Sequence, residues 1–269
     1  GGATDDTATF TGGLDTATNV TGTVTIAGTV KTEGAQVDIG AVTLAAATTL
    51  DTGNAAAGIL NVGAVTSGTN ALTLDSGSTS GATIGLTSFA DATGGLTIRD
   101  AGGLVTVSGA VGDGASGDVT ITNSQAGVTF GSTVDAGTLL ITDTADSQDV
   151  TFSGDVTAVT LTTTANTYDV VFQEDVTVTN DVTFAAIRNL DIGGATDDIA
   201  TFTGGLDTAT NVTGTVTIAG TINTTNTQMD LGAVTLAAAT TLDTGNAAAG
   251  IMNVGCLLYT SPSPRDETK

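Results

Sequence analysis

The chain is predicted to be all-β, a β-solenoid of roughly twelve coils with about 20–24 residues per coil. Three observations predict it. A triplet in which two apolar residues flank Thr recurs along the chain, the triplets repeat with a short and nearly constant period, and residues 1–63 return almost unchanged 192 positions later, at 193–255.

The triplets, in order, are Val24-Thr25-Ile26, Val42-Thr43-Leu44, Leu72-Thr73-Leu74, Leu96-Thr97-Ile98, Val105-Thr106-Val107, Val119-Thr120-Ile121, Val128-Thr129-Phe130, Val150-Thr151-Phe152, Val159-Thr160-Leu161 and Val182-Thr183-Phe184. Apolar, polar, apolar is the alternation of a strand with one buried face. Turn chemistry separates them, as at Gly117-Asp118, Gly154-Asp155 and Ser108-Gly109. Two ladders emerge. Leu74, Ile98, Ile121, Ile141 and Leu161 are spaced by 24, 23, 20 and 20 residues, and Val107, Phe130, Phe152, Phe172 and Ile192 by 23, 22, 20 and 20. Such a period holds two or three short strands, one turn of a solenoid. Phe130, Phe152 and Phe172 are then expected to stack inside while Thr faces outward, where its β-branch favours extended backbone. Dividing the long repeat by the short one makes it about nine coils, and stacking at about 4.8 Å per coil gives a rod of about 55–60 Å. A string of β-sandwich modules would need units of about 90–100 residues and larger aromatic cores. The short period and an aromatic content of 3% argue against it.

Both ends of the sequence are read as artificial. There is no Met at Gly1, and after Gly255 the second copy gives way to CLLYTSPSPRD, residues 256–266, which resembles a translated sequencing-library adapter. Pro262, Pro264 and the single Cys256 all lie in that stretch. The expected organisation is a solenoid repeat region over 1–255 and a non-native, disordered tail over 256–269.

Without the tail, 26 acidic and 3 basic residues remain, so the body carries the whole chain's net charge of −23. Its cations are Lys31, Arg99 and Arg188. Three positive groups cannot neutralise a phosphate backbone, which excludes nucleic acid as a partner; the surface would be repelled by anionic lipid, and no membrane insertion is expected. No apolar run is long enough for a transmembrane helix. The acids are almost all Asp, a residue of turns.

Units such as residues 41–78, AVTLAAATTLDTGNAAAGILNVGAVTSGTNALTLDSGS, resemble the β-strand repeats of filamentous-haemagglutinin-like and autotransporter-like bacterial surface proteins. The resemblance spans essentially all of 1–255. It implies a right-handed β-helical stalk, secretion to the extracellular bacterial surface and a role in attachment or biofilm formation, with host or surface glycans, or other copies through the solenoid ends, as partners. It carries over no catalytic residue.

Asp5-Asp6, Asp197-Asp198 and Asp143, Asp146 and Asp149 offer oxygen ligands for calcium, but the spaced GGxGxDxUx pattern of calcium-loaded solenoids is missing, so weak binding by turn Asp is the most that is expected. Glycan cleavage needs paired carboxylates in a groove, usually with aromatic platforms, whereas the body has one Tyr and no Trp; Arg99-Asp100 and Arg188-Asn189 read as surface pairs. Outward Thr97, Thr120 and Thr160 in one row could order water as an ice-binding face does, though the row breaks at Leu140. The chain has no His and the body no Cys, which removes the base for nucleophilic catalysis and the ligands of a zinc site. No catalytic, cofactor-binding or metal residue is assigned. The expectation is a non-enzymatic structural or adhesive stalk, with a carbohydrate-binding or carbohydrate-degrading β-helix as the alternative.

Overall fold

The computed structural model describes residues 3–91, 93–114, 117–164 and 166–259. Among them the regular structure is all strand, and 24 strands form one continuous parallel sheet wound into a β-solenoid of about 11 turns. The expected fold class is therefore what the chain adopts.

Each coil crosses three faces, some strands bending across two of them, so the rod is three-sided. On face one, Val30, Leu50, Leu74, Ile98, Ile121 and Ile141 stack in register and point inward. Face two stacks Ile39, Val62, Leu86, Val107, Phe130, Phe152, Phe172, Ile192 and Ile218. Face three, which the triplet reading did not separate, stacks Val24, Val42, Val65, Phe89, Val111, Val134, Val156, Val176, Ala200 and Ile222. Inward residues stack mostly apolar on apolar from coil to coil, so burial arises between neighbouring coils and stability is close to a sum of coil-to-coil interfaces.

The expected aromatic ladder is present. The Phe130 and Phe152 rings lie 5.1 Å apart at 4°, and Phe152 and Phe172 lie 5.1 Å apart at 12°. The face-two ladder runs from Val107 to Ile192 without a slip. Face one departs from expectation at its last rung. Leu161 pairs with Leu139, and it is Thr163 that follows Ile141. The cause is a corner. The strand Val156–Thr163 passes from face three to face one without a loop, so Val159 and Thr160 both turn outward, leaving Val159 51% exposed. The triplet Val159-Thr160-Leu161 is thus not buried at both ends.

Coil length also varies more than 20–24. The step from Leu190 to Val216 is 26 residues and the next, to Val234, is 18. A long coil is offset by a short one, and the pair averages 22 residues, which keeps the rungs aligned. Eleven steps on face two, from Leu14 to Leu257, give a rod of about 53 Å.

Two local devices close the corners. In Asp51-Thr52-Gly53 and Asp75-Ser76-Gly77, the Asp Oδ1 accepts the Gly N–H at 2.7 and 2.8 Å. The intervening hydroxyl turns inward and donates across the loop, Thr52 to the Gly58 carbonyl at 2.6 Å and Ser76 to the Ala82 carbonyl at 2.7 Å. The second device is Gly28, and its counterpart Gly220, at φ 70° and 72°. A Cβ there would stand 2.4 and 2.2 Å from the carbonyl oxygens of Asp6 and Asp198, so only glycine fits.

The expected disordered tail differs at its start. Cys256 to Tyr259 complete the strand Met252–Tyr259, pairing with Ala233 to Leu236. Residues 252–258 are exposed, because this strand is the open edge of the stack, and an apolar, β-prone segment can add to such an edge. Residues 260–269 lie outside the described residues.

Candidate functional site

Polar side chains between the inward residues form columns along the rod, and four of these columns could carry chemistry. On face two Asp15 lies in register with Asp38 and Asp38 with Asn61. The identical column recurs in the second copy as Asp207, Asp230 and Asn253. Gly12, Gly13, Leu14 and Gln36 line an open groove beside the first column. A further groove of about 340 Å³ continues over Asp38, Asn61, Gly85 and Thr106, floored by Gly40 and Gly63. The carboxylates are engaged locally. Hydrogen bonds from the Thr18 hydroxyl, then from the Thr18 and Ala17 N–H groups, hold the Asp15 carboxyl below the usual range. Asp207 caps Ala209 in the same way at 2.9 Å. Held low in this way, Asp15 can take hydrogen bonds from a ligand but supplies no general acid.

The second column, on face one, is Lys31, Asp51 and Asp75, in register. Lys31 bridges to Asp51 at 3.3 Å, and Arg99 donates from Nε to Asp75 at 2.6 Å. Two neighbouring carboxylates sharing one proton would be an acid-base dyad, but each of these faces its own cation.

The third column surrounds Asp169 and holds the sharpest electrostatics. Asp169 is 7% exposed and accepts from Arg188 Nε at 2.7 Å, from Arg188 Nη2, and from the Asn189 N–H and Nδ2, each at 3.0 Å. Burial pushes its carboxyl up, yet the bonds from Arg188 and Asn189 outweigh that and hold it low. One coil on, burial and, more weakly, the charges of Asp169 and Asp149 push the half-buried Asp191 up, against a hydrogen bond from Thr217. One carboxyl high and one low is the signature of an acid paired with a base. Asp169 is nevertheless consumed by its four bonds and has no lone pair directed at a substrate.

The fourth group is Asp91, 3% exposed, which clamps three coils by accepting from Ser67 Oγ at 3.0 Å, Gly95 N at 3.0 Å and Gly117 N at 3.0 Å. Alternation alone gave no hint of it, since it is an inward Asp.

The sequence candidates disperse. Asp5 and Asp197 are exposed, while Asp6 and Asp198 cap their own turns, Asp198 Oδ2 accepting from Gly194 and Ala195 at 2.6 and 2.7 Å. Asp146 accepts from Thr167, and burial followed by the charge of Asp146 raises Asp143. Asp149 belongs with Asp169, in register. Among the described residues no three His, Cys, Asp or Glu side chains are grouped to hold a metal ion. Arg99 reaches Asp75 rather than Asp100, which Asn123 bonds at 2.8 Å and burial raises. The Thr row of face one is Thr7, Thr29, Thr49, Thr73, Thr97 and Thr120, then Leu140 and Thr162; Thr160 pairs instead with Thr138. A charged column flanks this row two residues on, at Lys31, Asp51 and Asp75, which breaks the flat uncharged lattice that ordering of ice demands.

All three body cations are therefore bonded to an Asp one coil away, leaving a surface of unbalanced carboxylate. No protein-family model matches the chain, and no curated protein or solved structure is similar to it.

Proposed function

We propose that the chain is a non-enzymatic structural and adhesive rod, part of the stalk of a large bacterial surface protein at the extracellular face, serving attachment or biofilm formation. The observation that carries this reading is the repetition itself. The Asp15, Asp38 and Asn61 column recurs in the second copy of an unbranched rod, and the carboxylates are used to cap turns, pair cations and clamp coils rather than converging on one cleft. A polyanionic rod whose carboxylates are spread along its length suits spacing and display. Surface glycans and other copies of the rod are the partners proposed. The test is attachment: beads coated with residues 1–255 should adhere to polysaccharide or cell surfaces above beads coated with an acidic protein of equal charge. Equal adhesion would remove the adhesive part of the proposal.

A second reading, a carbohydrate-binding or carbohydrate-degrading helix, would take as its acid Asp191, the half-buried carboxyl that burial raises, since Asp169 is occupied by Arg188 and Asn189. Release of reducing ends from acidic or neutral polysaccharides, lost in Asp191→Asn, would support it over the rod. No release at high protein concentration would leave at most binding.

A further inference from the structure

We infer that the long repeat does not span a whole number of coils, so that its second copy is turned by one face and the chain displays the same surface on two different sides. This goes beyond the rod reading and holds whether or not the rod is adhesive.

The registers carry it. Ala8 pairs with Val30 on face one, while its counterpart Ala200 pairs with Val176 and Ile222 on face three. Leu14 pairs with Val37 on face two, while its counterpart Leu206 stands between Val182 and Met229 on face one. Val24 pairs with Val42 on face three, while its counterpart Val216 stands between Leu190 and Val234 on face two. The three shifts agree in sense. Face one is followed to Thr183 by the bond from the Ala185 N–H to Thr163 Oγ1 at 2.8 Å, which joins those two rungs. Between Thr7 and Ile199 the chain lays down nine rungs on face one, nine on face two and eight on face three, twenty-six strand positions, two-thirds of a coil past eight full turns.

The acidic column of Asp15, Asp38 and Asn61 therefore lies on face two, and the identical Asp207, Asp230 and Asn253 on face one, about 42 Å along the axis. A partner that recognises the unit must be compact, no wider than one face. Two such partners bind one chain without meeting, whereas a single flat surface reaches one copy at a time.

Engineered cysteine pairs in the Cys256→Ser chain test the turn, because rungs about 4.8 Å apart are within disulfide reach. The Thr177→Cys/Thr201→Cys pair is expected to close on mild oxidation, since these residues are neighbours on face three. A Thr183→Cys/Thr201→Cys pair would close only if the repeat spanned nine whole coils, and is expected to stay open. The Thr129→Cys/Thr151→Cys pair, in register on face two, reports on the solenoid alone. Closure of the face-two pair together with closure of the Thr183 pair, or failure of the Thr177 pair, overturns the inference. Failure of all three overturns the solenoid beneath it.

Discussion

Replacing Thr208 by Val should stabilise the rod. Thr208 is 1% exposed, and its hydroxyl has no hydrogen-bond partner. The registers of Val182 on Leu206 and Leu206 on Met229, continued by two residues, place Thr208 between Phe184 and Leu231, both buried. An unpaired hydroxyl in such a column costs about 1–3 kcal/mol. Valine has the same shape and substitutes a methyl that neighbours can pack against, so a gain of about 1–2 kcal/mol is expected, less whatever the hydroxyl recovers from a trapped water. In a chain of this size each kcal/mol moves the melting midpoint by about 2–4 °C. Because coils are coupled mainly to their neighbours, the gain should also appear as slowed amide exchange in the strands around Met229 and Leu206, with little change near Leu74. Thr208→Ser, which keeps the hydroxyl and loses the methyl, should cost about 1 kcal/mol. A midpoint unchanged or lowered in Thr208→Val, with exchange around Leu206 unaltered, would refute the reasoning by showing that the hydroxyl is satisfied.

Four further outcomes follow from the geometry. Phe152→Ala removes the middle ring of the stack and should cost about 3–5 kcal/mol, read by urea denaturation; a loss below about 1 kcal/mol would mean that the rings do not support one another. Gly220→Ala should destabilise strongly, because φ 72° and the Asp198 carbonyl 2.2 Å from a new Cβ both oppose it, whereas Gly68→Ala, with open space around it, should suffer only from its φ of 63°. The raised Asp100, Asp143 and Asp191 bind protons more tightly folded than unfolded, so stability should rise as pH falls toward the ordinary value of 3.8; the lowered Asp169 then titrates below 3.8 and stability falls. Melting midpoints across that range at fixed salt should pass through an acidic maximum, and a monotonic decline from neutral pH would contradict those shifts. Calcium and sodium at matched ionic strength should give equal midpoints, since diffuse screening of the net charge of −23 is the only cation effect the columns require; a calcium-specific rise would reveal a site.

Legibility in the sequence followed the physics of each position. From Val107 to Ile192 face two could be read rung by rung because its strands there are short, isolated by loops and marked by Phe, so one period governs them. Face three was hidden because its strands run into face one at corners that do not end the strand: in Val156–Thr163 a period of two breaks without a Gly or Asp to announce it, and in Val134–Ile141 Asp135 and Gly137 read as a turn between strands although one strand continues through them. Inward polar residues were missed for a related reason. Alternation assigns Thr to the outside, yet Thr52, Ser76 and Ser124 are inward and buried, because each satisfies its hydroxyl against a loop carbonyl. The Asp-Thr-Gly and Asp-Ser-Gly triplets were the available signal. Ion pairs such as Arg188 with Asp169 join residues one coil apart, and which of several acids a cation meets depends on loop lengths that composition does not encode.

The differences between the two copies now have a structural logic. Val30 becomes Ile222, Val37 becomes Met229 and Ile39 becomes Leu231, all inward and buried, so volume is traded within the core. Gly34, at φ 84°, becomes Asn226 at φ 58°, the replacement that best tolerates a left-handed backbone, and the new Asn Oδ1 accepts the N–H groups of Asn246 and Ala247 at 2.9 Å each. Lys31 becomes Asn223, which leaves Asp243 without the cation that its counterpart Asp51 has. None of these changes compensates for a turn of one face, although every strand of the second copy sits on a different side from its original. The three faces must then be interchangeable to the sequence where the copies dock: each offers a column of inward apolar side chains at the same rung spacing, so a strand needs only its parity to dock. A unit that is duplicated need not contain whole coils to fold, which removes the constraint that would otherwise hold all copies to one side of the rod.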